Sequence, residues 1–506
     1  MRSQMTMSIL CALIATTAFG ATQDRHVLVV VWDGMRPDCV SEKNTPALWQ
    51  LAHDGVLFRN HHSVYPSATN VNGAAIATGD YPGHNGILAN HVYRPELDAR
   101  KTIDVEVSAV VEKGDLWSAG KYVAAPTIAE LAQEAGLTTA IAAAKTVGLL
   151  LDRHIDSERA KKNVTLFAGA SLPGEFAKSQ GIFPLRGKAS EKDAWTTRAV
   201  IDSLWHEQLP ALSWLWLGEP DDTEHKTAPG SAPSLEAIKS SDTNLAQVLA
   251  ALDKRNARST TDVFVVSDHG FSTIRRSIDL RKALTRAGFN VATEFSSEPK
   301  RGDIMLSGNG GSVLFYVTQQ DEGVTRRLVD FLQQSDFAGV IFTKQKFEGT
   351  FPLNRAKIDN DTAPDVVMAF RWTDAKNQFG LAGMIDGDWQ RAAGEGTHAT
   401  LSRFDMHNML IASGPDFKKG LTSDVPSGNL DLAPTICKIL GISTPAMDGR
   451  VLLEAMNSPA HVPPTENETF DATKKFAAGE WRQYLKVSRV GSTTYLDEGN
   501  GEFVRH

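Results

Sequence analysis

With 506 residues, 42% hydrophobic and 22% charged, the chain has the composition of an ordinary globular protein, large enough for one big core or a core with a smaller satellite. Its formal charge of -8 is spread without acidic or basic blocks, which argues against nucleic acid as the main partner, because that usually needs a clustered Lys/Arg face.

The chain begins Met1-Arg2, continues with an apolar stretch from Met7 to Leu13 that runs on through Ala18, and reaches small residues around Gly20 and Ala21. This is the pattern of a secretory signal over residues 1–20 and predicts a periplasmic or secreted protein. The run is too short to span a bilayer comfortably and no second one of that length follows, so no membrane span is expected after cleavage. Cys11 would leave with the signal. Cys39 and Cys437 remain, and the sequence leaves open whether they pair or stay as buried free thiols.

Val27 to Trp32 reads as a strand, Thr45-Pro46 opens a helix through Ala52, Ala74 to Thr78 is helical, and Pro126-Thr127 starts a helix to Ala135 before a strand from Thr139 to Ala144. Leu212 to Leu217 is another strand. Ser234 to Lys254 is the clearest amphipathic helix, with Leu235, Ile238, Leu245, Val248, Leu249 and Leu252 at helical spacing, and the Val263 to Val266 strand follows it. Later strands are expected at Val313 to Val317, Val366 to Phe370 and Met409 to Ala412. This βαβ rhythm predicts an α/β fold with a mainly parallel sheet sandwiched by helices. The expected catalytic domain covers 25–455, with insertions near 93–123, 152–195 and 296–306 that shape the pocket. Residues 456–506 form a C-terminal extension, where Trp481, Tyr484 and Tyr495 suggest a packed tail.

Chemistry concentrates in short islands: Asp33 in VVVWDGMRPD, Asp221 and His225 in LGEPDDTEH, Asp268 and His269 in VVSDHGF, and His398 in GEGTHA. All but the last closely follow an apolar run, so these side chains fall where buried parallel strands would end, the edge at which open α/β sheets bind ligands. Taken singly each is weak. Asp-Gly after a strand is more often a turn, Asp268-His269-Gly270 could be a turn with a surface histidine, and an i, i+4 pair such as Asp221 and His225 often occurs by chance. Together, three Asp and three His suit two divalent ions, zinc by ligand type, each with an open position. The island YPSATNVNGAAIATGDYPGHNGILAN offers a hydroxyl nucleophile, although Ser67 or Thr69 could each be merely a helix N-cap.

The set VVVWDG, PSAT, ATGDYPGHNG, EPDxxxH, SDHG and GTH resembles the alkaline phosphatase superfamily, most closely its type I phosphodiesterase/nucleotide pyrophosphatase branch, over roughly residues 25–450. The resemblance implies an alkaline-phosphatase-like fold with inserted cap segments and a small phosphorylated substrate. It implies that Asp221, His225 and His398 hold one zinc while Asp33, Asp268, His269 and the Thr69 hydroxyl hold the other. Asn90 resembles the asparagine that binds a non-bridging phosphoryl oxygen.

A threonine is a poor nucleophile at its own pKa, and two divalent ions would favour its alkoxide without a catalytic base. The expected activity is cleavage of phosphodiester or pyrophosphate bonds in nucleotide-type substrates through a phosphothreonine. Asn70-Val71-Asn72-Gly73 departs from the branch's Phe-Pro-Asn-His and resembles phosphonoacetate hydrolases, which keeps a phosphonate- or monoester-cleaving alternative. Lys145 sits where such relatives carry cations for extra substrate charge, but position 147 is Val, so their second cation is missing, and Lys145 could equally be a solvated strand-end lysine. A binding protein stabilised by metal is the alternative of another class. It should have lost the nucleophile or a ligand, and neither is lost.

Overall fold

The computed structural model describes residues 25–153, 163–458 and 464–506. The expected signal over 1–20 lies outside these residues. Among the described residues no helix is long and apolar enough to cross a membrane.

Three apolar runs make the centre of a nine-stranded sheet. His26–Trp32 pairs in parallel with Thr261–Val266 on one side and Leu212–Leu217 on the other. Thr139–Ala143 and Val164–Phe167 continue the parallel array. Leu410–Ser413 and Ala170–Leu172 add antiparallel strands towards the two edges. Residues alternate between faces along a strand, so Val27, Val29 and Val31 enter one core with Ile76 and Ile436, whereas Leu28, Val30 and Trp32 enter another with Leu245, Val248 and Leu252. Burial on both faces is what such uninterrupted runs require. Cys39 belongs to one core and Cys437 to the other, and both are buried free thiols.

The amphipathic helix spans Ala232–Lys254, with Ser231 as its N-cap accepting from the Ser234 amide. The helix expected from Pro126 runs Ile128–Glu134 behind a Thr127/Glu130 capping box. The helix expected at Ala74 starts at Thr69 instead and ends at Thr78. Asn70, Asn72 and Gly73 are weak helix formers that hide its first turns in the sequence, and complete burial holds them helical.

Val313–Val317 and Val366–Phe370 depart from the βαβ expectation. They lie antiparallel in a separate six-stranded sheet with Ile304–Gly308 and Ala338–Thr343. Only three residues join Gly308 to Ser312, which permits a hairpin and forbids a parallel crossover of a dozen residues or more. The parallel character therefore belongs to the central strands of the large sheet, with helices on its faces. The segment at 296–306 runs into the Ile304–Gly308 strand, 93–123 contains the Ser108–Ser118 helix, and 152–195 ends within the Ala189–Arg198 helix.

Residues from Thr465 to Arg505 form a three-stranded antiparallel sheet. Its middle strand docks on Ala338–Thr343, where the Gln483 amide bonds both the N–H (2.8 Å) and the carbonyl (3.2 Å) of Ile341. Gly501 allows the approach, since a Cβ there would lie 2.0 Å from the Gly339 carbonyl oxygen.

Candidate metal centre

Asp33 directly follows the His26–Trp32 strand, Asp268 stands two residues after Thr261–Val266, and Asp221 opens the Asp221–Thr227 helix just after Leu212–Leu217. The three strands are parallel neighbours, so all three carboxylates converge at one sheet edge. Backbone bonds fix the turns: Asp33 donates to the Leu217 carbonyl (3.2 Å) and Asp221 to the Asp33 carbonyl (3.1 Å). Gly34, at φ 72°, makes the turn that lets its N–H reach Asp268 Oδ1 at 3.0 Å. Trp216 Nε1 donates to Asp33 Oδ2 at 2.9 Å. Asp193 accepts from the Gly218 and Glu219 amides at 2.7 and 3.1 Å, bracing the loop that carries Asp221.

Each of the three histidines faces a backbone carbonyl with Nδ1: His225 to Gly396 (3.0 Å), His269 to Gly270 (2.9 Å) and His398 to Ser67 (2.8 Å). At His269 and His398 that bond places the proton on Nδ1 and leaves the Nε2 lone pair free, the orientation found in metal-ligating imidazoles, whereas His225 Nδ1 also accepts from Arg391 Nε at 2.7 Å. The Nε2 atoms converge on carboxylates. His225 and His398 lie 3.3 and 3.5 Å from Asp221 Oδ1, and His269 lies 3.2 Å from Asp268 Oδ2 and 3.6 Å from Asp33 Oδ1. Asp221 Oδ1 and Asp268 Oδ2 are buried without a hydrogen-bond partner among the described residues. Orphaned anionic oxygens facing imidazole lone pairs are costly unless a cation lies between them, so the donor set fits divalent metal ions.

The ligand atoms fall into two groups, Asp33/Asp268/His269 and Asp221/His269/His398, each set within 4.8 Å of one another. His269 takes part in both, its ring stacked on His398 at 3.7 Å between centroids. His225 completes the second group through Asp221. Burial, reinforced by Asp268, pushes the Asp33 carboxyl well above its usual range. Burial also raises Asp221, but His225 and Lys145 outweigh it and hold this carboxyl well below the usual value. Burial and the neighbouring His269 hold His398 well below the ordinary imidazole value, which keeps it neutral.

Thr69 is the first residue of its helix and caps nothing; the N-cap is Ala68, and the Ser67 hydroxyl bonds the Thr400 carbonyl at 3.0 Å. Thr69 Oγ1 instead lies 3.3 Å from His269 Nε2 and 3.5 Å from Asp33 Oδ1. Asn90 Oδ1 accepts from the Asn70 amide at 2.9 Å, which anchors Asn90 beside Thr69 and leaves its NH₂ to donate. Asn72 is committed to the fold through bonds to Val64, Ala68 and Asn429.

Lys145 Nζ lies 2.5 Å from Asp221 Oδ2 and 3.0 Å from Asp33 Oδ2, so it is neither a solvated lysine nor a free cation at the pocket. Val147 is fully buried, and a Cβ at Gly73 would stand 2.7 Å from its Cγ2. The position lacking the second cation is thus a packing contact under the Thr69–Thr78 helix. Sequence reasoning passed over Trp216, Asp193 and Arg391, whose Nε lies 2.7 Å from His225 Nδ1. Trp216 looked like any residue of an apolar strand, and only the register beside Val31 sets its indole on Asp33.

Fold and site together define a hydrolytic enzyme with an alkaline-phosphatase-like architecture. The chain belongs to the type I phosphodiesterase/nucleotide pyrophosphatase family, whose model matches residues 27–372. It is similar to mouse ectonucleotide pyrophosphatase/phosphodiesterase family member 7, 22% identical over 453 residues that cover 88% of this chain and 91% of that protein. A venom phosphodiesterase of Crotalus durissus collilineatus is 24% identical over 272 residues, 52% of this chain and 28% of the venom protein. Murine ectonucleotide pyrophosphatase/phosphodiesterase 5, solved as an inactive variant in complex with AMP, shares the fold at TM-score 0.61 and 18% identity, covering 86% of this chain and 100% of the other.

Proposed function

We propose that this protein is an exported two-metal hydrolase that cleaves phosphodiester or pyrophosphate bonds in nucleotide-type substrates through a phosphothreonine at Thr69. The observation that carries the proposal is the Thr69 hydroxyl, uncommitted to capping and 3.3 Å from His269 Nε2 among unpartnered carboxylate oxygens. Asp221, His225 and His398 would hold one divalent ion and Asp33, Asp268, His269 and Thr69 the other, and a bound pair, zinc by donor type, supplies Lewis-acid stabilisation of an alkoxide and of the leaving oxygen.

The chain's own residues do the rest. Thr69 Oγ1 attacks phosphorus, its bond to phosphorus forms as the bond to the leaving oxygen breaks, and water then cleaves the phosphothreonine to restore the hydroxyl. The start of the Thr69–Thr78 helix presents the positive end of its dipole to the phosphoryl group, and the Asn90 NH₂ donates to an equatorial oxygen. Family membership and the AMP bound by the structurally similar murine protein support the nucleotide reading, and the apolar N-terminal stretch supports export.

Lys145, close to Asp33, and the Thr69-Asn70-Val71-Asn72 run favour the phosphonate or monoester alternative. Its weight falls because Asn72 and Val147 serve packing and Lys145 is paired with carboxylates. The test is turnover of bis-p-nitrophenyl phosphate, p-nitrophenyl phosphate and phosphonoacetate side by side with zinc, with mass spectrometry of the quenched enzyme. The diester should be the best substrate and the phosphoryl group should map to Thr69. A preference for phosphonoacetate overturns the substrate assignment, phosphate trapped elsewhere or nowhere overturns the intermediate, and no turnover of any substrate restores the binding protein.

A further inference from the structure

A second convergence of imidazoles and a carboxylate lies outside the catalytic cluster, at the junction of the C-terminal sheet with the catalytic body. His62 lies on the short His61–His62 strand, His407 follows the Arg403–Met406 helix, and Asp497 belongs to the last strand, Thr493–Arg505. One ligand atom from each lies within 4.8 Å of the other two.

Three features point to a ligand there. His62 Nδ1 stands 2.9 Å from the Ser427 carbonyl, as the three catalytic histidines stand to their carbonyls, so its Nε2 is the free lone pair. That lone pair faces Asp497 Oδ1 at 2.8 Å, and two acceptors at this distance need a cation between them. A proton would satisfy His62 and Asp497 alone. A metal ion also engages His407, whose ring lies 4.4 Å from the His62 ring between centroids and has no hydrogen-bond partner among the described residues.

The backbone adds the third feature. Lys486 pairs with Glu498 and Val487 with Leu496, so Asp497 is the extra residue of a β-bulge. Bulges re-aim a side chain, and this one turns Asp497 out of its strand's alternation towards His62. The surroundings tolerate a cation, because the nearby Arg403 guanidinium is already paired with Asp374 and Glu498. Asp497 and His407 are partly exposed, which provides an entry path and room for water as a fourth ligand.

We propose that His62 Nε2, His407 and Asp497 form a third, structural metal site, suited to zinc by its two-imidazole, one-carboxylate donor set, which fastens the C-terminal sheet to the catalytic body.

The experiment reconstitutes stripped full-length protein with zinc alone, removes free metal by dialysis, and counts zinc per chain in the wild type, His407→Gln and Asp497→Asn. Each variant should hold one ion fewer than the wild type, keep diester kcat, and show a smaller zinc-dependent rise in Tm. Asp497→Asn keeps an oxygen at the same position and guards against a folding defect in the other variant. Equal zinc in the wild type and both folded variants overturns the proposal and leaves a protonated His62–Asp497 pair. Because the result is a difference between proteins, a wrong count for the catalytic pair would appear in the absolute number and be told apart.

Discussion

Two clusters of buried charge in this molecule are built to opposite ends. Behind the C-terminal sheet, Asp431 accepts from the Gly428 amide (2.8 Å), the Arg450 amide (2.8 Å) and the Tyr495 hydroxyl (2.7 Å). The Arg450 guanidinium bonds both Glu454 oxygens at 2.6 and 2.8 Å and the Pro426 carbonyl at 2.7 Å. At the edge of the parallel strands, Asp221 Oδ1 and Asp268 Oδ2 find no donor although Asp33, Asp221 and Asp268 are all buried. The first cluster is closed by the chain itself. The second is left open by the chain, as a site for the proposed divalent ions would be, and neither burial nor charge alone separates the two clusters.

The sharpest contrast is in activity. Thr69→Ala removes the proposed nucleophile and should lower kcat by about 10³-fold or more while metal content stays near that of the wild type. Near wild-type turnover would assign the attack to water instead of Thr69.

Stability should respond in the closed cluster. Arg450→Ala strands Glu454, removes the positive charge beside Asp431 and should cost about 3–5 kcal/mol in denaturant unfolding, with little change in the kcat of the surviving folded fraction. A loss below about 1 kcal/mol would mean that this network is not the stabilising half of the pair.

Asn90→Ala should raise the barrier by about 2.7–4 kcal/mol, as for loss of one oxyanion donor, and do so in kcat more than in KM. An unchanged kcat would leave Asn90 only its bond to the Asn70 amide.

In the open cluster the sign should reverse with metal. Asp268→Asn keeps an acceptor for the Gly34 amide and removes one of three crowded negative charges, so the metal-free variant should be more stable than metal-free wild type by about 1–2 kcal/mol. With zinc added the order should invert, because the wild type gains a ligand that the variant lacks. A lower Tm for the variant in both states would show that the cluster is no more open than the one around Arg450.

The smallest effect belongs to Lys145→Ala. Diester kcat/KM should stay within a few fold, while any monoester or phosphonate side activity falls further, since those substrates carry more charge. Equal loss on all substrates would assign Lys145 to holding Asp33 and Asp221 in place.

The apolar runs ending at Trp32, Leu217 and Val266 are strong local signals, because a strand buried on both faces must be apolar throughout, and they place Asp33, Asp221 and Asp268 at a sheet edge. Residue type then carried the rest of the legible site: the candidate ligands in the islands are all Asp and His, and the Thr69 and Asn90 segments sit between them. The helix start at Thr69 was legible only as an alternative, through Ser67 or Thr69 as an N-cap, since Asn70, Asn72 and Gly73 are weak helix formers held helical by the interior around them. The second sheet was not legible, since apolar strands read alike whether they pair in parallel or antiparallel.

What the sequence by itself determined is chemical inventory and local geometry: which side chains can bind metal, which can attack, and where strands stop. Tertiary structure alone decided how these meet. Strand order sets Thr261–Val266 and Leu212–Leu217 on either side of His26–Trp32, places His269 within reach of both ligand groups, and leaves Asp221 Oδ1 and Asp268 Oδ2 unpaired. The same holds for His62, His407 and Asp497, which no spacing connects and which a bulge in the last strand brings together. The physical reason is that periodicity reports a residue's own strand or helix, whereas contacts between distant segments follow from how whole faces pack, a property no local window contains.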